Sequence, residues 1–151
     1  MKRLLVSIVV VFTGLVVLAP WGLYALGLAN VEGRPNAPTG SPLTSEDDAL
    51  LRRQLKAPHG FSVAPLSPGS YFITLIMAPG SSRSAEEGGT DAAWLVARHY
   101  NASHLKSHRA IWGHLSGAAL TIWITRNWTP NQVLSGAAEI VRRHSTRDGS
   151  G

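Results

Sequence analysis

Residues 4–29 hold 26 consecutive side chains without a charge, directly behind Met1-Lys2-Arg3. As a helix this run would be about 39 Å long, more than the roughly 30 Å of a bilayer's hydrocarbon core. No other feature constrains the chain so strongly. A cleaved signal peptide is the competing reading, with Gly27-Leu28-Ala29 as the small-x-small site and Pro20 ending its apolar core. Trp21, Leu23, Tyr24, Leu26 and Leu28 keep the segment apolar well past a signal core of roughly 7–15 residues. An uncleaved signal anchor over 1–29 is therefore the first choice. Lys2 and Arg3 then stay cytoplasmic, and everything after residue 29 lies at the outer, periplasmic face of the inner membrane. Trp21 and Tyr24 fall where interfacial aromatic rings belong, so membrane lipid is the first partner expected.

Beyond the anchor the composition changes twice. Seven of the nine prolines lie between Pro35 and Pro79, and residues 31–42 have no period of either kind. Residues 30–89 thus read as a Pro/Gly-rich stalk carrying one or two short helices. Over 44–56, Thr44 or Ser45 caps a helix whose first turn holds Glu46, Asp47 and Asp48 and whose end holds Arg52, Arg53 and Lys56. Residues 61–78 fit either a hairpin or a helix capped by Ser67 with Pro68 in first position, the helix being preferred. Residues 80–89 read as a flexible loop.

Four of the five tryptophans fall in residues 90–144, which read as a compact basic domain. Thr90 is expected to cap its first helix, with Ala93, Trp94, Val96, Ala97 and Tyr100 as the buried stripe. The second helix runs from about Arg109 to Asn127. The third opens at Thr129-Pro130-Asn131-Gln132, a capping Thr with a Gln three residues on. It ends at Arg142-Arg143-His144, and 145–151 read as a disordered tail. The fold class is mainly α: a transmembrane helix, a Pro-rich linker and a bundle of three to four helices.

The second helix is apolar all round, with His114 the one ionisable side chain in 110–125. It is either the central helix of the bundle or a short membrane-embedded helix, and the first reading is preferred. That reading buries Trp112, Leu115, Ala119, Leu120, Trp123 and Ile124, makes His114 a hydrogen-bonded core histidine, and puts Gly113 and Gly117 at a close helix crossing.

Charge is divided between the halves. Residues 30–91 carry 7 acidic and 5 basic groups, and residues 92–151 carry 2 acidic and 7 basic groups with five of the six histidines. A basic, Trp-bearing domain beside a membrane suits anionic partners; the compartment disfavours nucleic acid. The binding candidates are His99, His104, His108, Arg109 and Arg126. His104 and His108 would share a helical face, but no carboxylate stands near them in the sequence, so no metal and no cofactor is expected. The absence of cysteine removes thiolate chemistry and Cys-ligated zinc. Glu139 has no partner carboxylate within the domain, which leaves it short of an acid–base pair.

Residues 118–134, an apolar helix leading through Arg126-Asn127-Trp128 into a Thr-capped helix, resemble part of the peptidoglycan glycosyltransferase domain of penicillin-binding proteins. Residues 92–105, with Ala97-Arg98-His99-Tyr100, are similar to an Ala/Tyr-bearing helix of the same family. The resemblance implies work at the outer membrane face on peptidoglycan or its lipid precursor. The family's Glu-Asp-x-x-Phe and Gly-Ala-Ser-Thr-Ile-x-Gln-Gln motifs are absent and the matched parts come in reverse order, so no catalytic role carries over. The expectation is a membrane-anchored envelope protein, a non-catalytic binding or accessory module whose partner is peptidoglycan or another envelope protein. A reduced transglycosylase-like or lysozyme-like enzyme is the alternative.

Overall fold

A computed structural model describes residues 2–39, 42–57, 59–77, 85–107 and 109–148, with side chains for all of these except 2–13, 15, 16, 73–77, 147 and 148. Among the described residues there are six helices and no strand: α1 (Lys2–Ala29), α2 (Ser45–Leu55), α3 (Pro68–Met77), α4 (Ala85–His104), α5 (Ala110–Asn127) and α6 (Pro130–Asp148). The mainly α expectation holds. Among the described residues no helix is long and apolar enough to cross a membrane.

Local capping sets three of the helix starts. Thr44 Oγ1 accepts from the Asp47 amide at 3.1 Å while the Asp47 carboxylate accepts from the Thr44 amide, a reciprocal capping box. Ser67 Oγ accepts from the Ser70 amide at 3.1 Å, with Pro68 at the first helical position of α3. Thr129 Oγ1 and Gln132 Oε1 exchange bonds with each other's amides at 3.3 and 2.8 Å.

Helix α5 lies in the middle, between α1 and α4; α6 packs on α4, α2 on α6, and α3 against α1 and α5. The main core joins Leu51 of α2, Ala92, Ala93, Val96 and Ala97 of α4, Leu120 and Ile124 of α5, and Val133, Leu134, Ala137 and Val141 of α6. A smaller cluster on the far side of α5 gathers Phe72, Ala118 and Ile122 with Tyr24 and Leu115. The all-round apolar helix is therefore covered on opposite faces by two different sets of helices, which is what lack of a polar face requires.

Several expectations change. Among the described residues of 30–63, Val31, Pro35, Leu51, Ala57 and Gly60 are buried. The end of α1 is clasped to the end of α4 by Glu32 N–H to the His104 carbonyl (2.8 Å), Lys106 N–H to the Asn30 carbonyl (3.0 Å) and Lys106 Nζ to the Ala29 carbonyl (2.8 Å). Helix α4 begins at Ala85, not at a Thr90 cap, so residues 85–89 are helical; residues 80–84 of the expected loop lie outside the described residues. The reason is tertiary. A Cβ on Gly89 would stand 2.2 Å from the Ser62 carbonyl oxygen, and one on Gly88 3.0 Å from that of Gly60. The two glycines let the extended chain at 60–63 cross the first turn, where Ser62 N–H also bonds the Ala85 carbonyl at 2.8 Å. Helix α6 continues to Asp148, through four residues expected to be disordered.

The glycine pair of α5 also divides. A Cβ on Gly117 would meet the Trp94 ring at 2.8 Å, whereas one on Gly113 would find only Leu105 Cδ1 at 3.9 Å. Gly117 thus sits at a close crossing and Gly113 does not. Ala119, Leu120 and Ile124 are buried, but Trp112, Leu115 and Trp123 are only partly so. Leu115 and Trp123 pack at the edges of the two core clusters instead of inside them.

Candidate functional site

The hydroxyls of α5 dispose of the polar groups along its buried length. Thr121 Oγ1 donates to the Gly117 carbonyl at 2.8 Å and Thr125 Oγ1 to that of Ile122 at 3.0 Å. Thr125 Oγ1 also accepts from the Leu66 amide, and Ser116 Oγ from Asn30 Nδ2 at 3.1 Å. Among the described residues one buried side-chain polar atom lacks a partner, Asn101 Oδ1. An orphaned buried carbonyl costs desolvation with no return, so such an atom calls for an explanation.

Asn101 lines a trough of about 420 Å³ between the second half of α4 and the first turn of α5. Helix α4 contributes Trp94, Arg98, Asn101 and Ala102, spaced to share one helical face; α5 contributes Ala110, Gly113 and His114; Leu105 closes the end. Asn101 is 5% exposed, and its Nδ2 approaches the Gly113 carbonyl at 3.5 Å. Arg98 and His114 are exposed at the rim, and among the described residues neither has a hydrogen-bond or ion-pair partner. The trough has an aromatic wall, a cation and an imidazole at its rim, and an unmatched acceptor in its lining. His114 is therefore a surface residue, not the core histidine expected, because it faces the open trough and not a neighbouring helix.

The other expected binding residues do not converge. His104 stacks on Tyr100 with ring centroids 3.8 Å apart, and its Nδ1 lies 2.9 Å from the Tyr100 carbonyl. The same nitrogen lies 2.9 Å from the Ser103 hydroxyl, so this edge of the ring is engaged within its own helix. His99 faces His144 of α6, centroids 6.3 Å apart. His108 lies outside the described residues. Arg109 occupies the N-cap position of α5 without a side-chain bond, and Arg126 stands at the opposite end of that helix. Among the described residues no three His, Cys, Asp or Glu side chains gather as a metal would require.

Glu139 lines a separate cleft of about 240 Å³ with His99, Tyr100, Trp128 and Arg143, and no second carboxylate is among the lining residues described. Its carboxylate pairs with Arg143 on its own helix. On the other side of the molecule, burial pushes the Tyr71 phenol above its ordinary value; the Asp91 carboxylate adds to the shift and a hydrogen bond with Thr121 opposes it.

Sequence reasoning missed Trp94, Arg98 and Asn101 as a group. The available signal was the i, i+4, i+7 spacing, which puts a cation and an amide in line with a tryptophan otherwise assigned to the core. Compared with family models, with curated proteins and with solved structures, the chain matches none.

Proposed function

We propose that this protein is a single-pass inner-membrane protein whose helical domain is held against the outer membrane surface and serves as a non-catalytic binding or accessory module of the cell envelope. The observation that carries the reading is the uncovered face of α1. Val17, Leu18 and Trp21 are 62, 66 and 49% exposed where α1 reaches and passes the end of α5, whereas the exposed Leu23 and Leu26 stand on the domain side of Trp21. An apolar face of that extent needs cover, and lipid supplies it.

The register of α1 on α5 supports the same reading. Asn30 meets Ser116, Gly27 meets Leu115 and Ala119, and the Arg126 guanidinium lies 5.9 Å from the Trp21 ring centre, so the two helices run antiparallel. The end of α5 is level with Trp21, and α1 continues beyond it through residues 2–20, about 28 Å of helix against a core of about 30 Å. Trp21 and Arg126 then mark the headgroup level. Packing of Gly27 on α5 also favours retention of the segment, since cleavage after Ala29 would strip one side of the central helix. Glu139, without a second carboxylate in its cleft, gives the enzymatic alternative no support.

The test is fractionation of cells that express the chain with a carboxy-terminal tag. The expected result is a protein that begins at Met1, resists an alkaline wash of the membranes, and exposes its tag to protease added from the periplasmic side. A soluble protein that begins at Asn30 would overturn the reading.

A further inference from the structure

We infer that the trough between α4 and α5 is a binding site for an acidic glycan, with Arg98 and His114 taking a sugar carboxylate, the Trp94 indole taking a sugar face, and Asn101 Oδ1 accepting from a sugar hydroxyl. The inference rests on the domain's being a binding module, but not on its anchor. Three observations lead to it. The orphaned Asn101 oxygen wants a donor, which a hydroxyl-rich ligand offers and a plain anion does not. The rim wants an anion: Arg98 and His114 have no partners among the described residues, and residues 92–151 carry 7 basic against 2 acidic groups. Arg is the side chain whose planar fork matches a carboxylate.

The ligand is a chain rather than a single small molecule. Trp94 and Arg98 also line a second depression, of about 270 Å³, with Gln54, Leu55, Leu95 and Asp91, the last an acceptor for sugar hydroxyls rather than a partner for a carboxylate. The indole and guanidinium therefore form a ridge with a hollow on either side, and a single compact ligand would fill only one of them. Linked sugar units can lie across the ridge, with the Gln54 amide ready for further hydroxyls. A lipid headgroup fits poorly. Gly113 and His114 lie twelve to thirteen residues before Arg126 on α5, about 20 Å of helix away from the level assigned to headgroups.

The test uses the full-length protein extracted in neutral detergent, titrated by calorimetry with tetragalacturonate, with its fully methyl-esterified form, and with inorganic phosphate. The acid tetramer is expected to bind, and its ester to bind about a hundredfold more weakly, the loss of the two charge-assisted contacts made by Arg98 and His114. Arg98→Gln and His114→Gln, both at exposed positions, should each weaken the acid tetramer by about tenfold while leaving the circular dichroism unchanged. Arg142→Gln, on α6 and paired with Asp47, should leave binding unaltered. No binding of the acid tetramer, equal binding of the ester, phosphate binding as tight as the tetramer, or displacement of the tetramer by anionic lipid vesicles would each overturn the inference. Release of the protein by an alkaline wash would overturn the anchor and leave this titration intact, so the two failures are distinguishable.

Discussion

Gly27 of α1 and Ala119 of α5 face each other so closely that a Cβ built on Gly27 would stand 2.7 Å from the Ala119 Cβ, and equally close to the Leu115 carbonyl oxygen. A backbone oxygen cannot step aside as a long side chain can, so the approach of the two helices depends on a missing methyl group. Gly27→Leu should push α1 off α5 and destabilise the domain by about 1–3 kcal/mol through overpacking. Gly22→Leu on the same helix meets nothing within 4 Å and should be silent. Thermal midpoints of the two variants in one detergent decide it; equal midpoints would mean that α1 does not pack on α5 through Gly27.

Gly89→Ala should be costlier than its small size suggests. Its methyl group would have to displace the Ser62 carbonyl, 2.2 Å away, and with it the bond from Ser62 N–H to Ala85. The expected outcome is a lower midpoint and faster proteolytic nicking between residues 57 and 64. An alanine variant as resistant as the parent would show that the extended segment does not cross the helix there.

Thr129→Ala removes the oxygen that receives the Gln132 amide and should cost about 1 kcal/mol. Thr44→Ala should cost more, because Thr44 Oγ1 also donates to Asp47 at 2.9 Å, and the same carboxylate group holds Arg142 of α6 at 3.3 Å. Loss of the first cap loosens one helix end, whereas loss of the second also loosens the contact between α2 and α6. Denaturant midpoints that rank the two variants in the opposite order would contradict the shared role of Asp47.

Tyr71 makes stability fall at alkaline pH. Its phenol is held above the ordinary value of 10.0, chiefly by burial. The folded state therefore keeps the proton longer than the unfolded chain does. Its contribution is complete below pH 10 and is lost as pH rises from there through the folded-state value. In absorbance at 295 nm, Tyr71→Phe should remove a late-ionising tyrosine and, with it, part of the alkaline loss of stability. A Phe variant with an unchanged alkaline transition would place the loss elsewhere.

The sequence alone determined the features that depend on neighbours three or four residues apart. The cap at Thr129 with Pro130 behind it, a cap at Thr44 or Ser45, and the preferred of two readings at Ser67-Pro68 all follow from bonds that close within one turn. The apolar circumference of α5 likewise announced that it would need cover on every side. What supplies that cover was decided only by tertiary structure. The α1 segment has no polar face to show which side meets protein, and the proline-bearing chain at 30–43 has no period, yet Val31 is 3% exposed and Pro35 is buried. Two glycines near the start of α4 argue against a helix by propensity, and they are tolerated because the chain at 60–63, more than twenty residues earlier, must pass close by. The candidate site has the same origin. Trp94, Arg98 and Asn101 share one face of α4, but whether that face is core or trough depends on how far α5 reaches across it, and it leaves Asn101 buried without a partner while Arg98 and His114 remain in solvent. Local hydrogen bonding can close a turn, but it carries no information on the partner that arrives from a distant part of the chain.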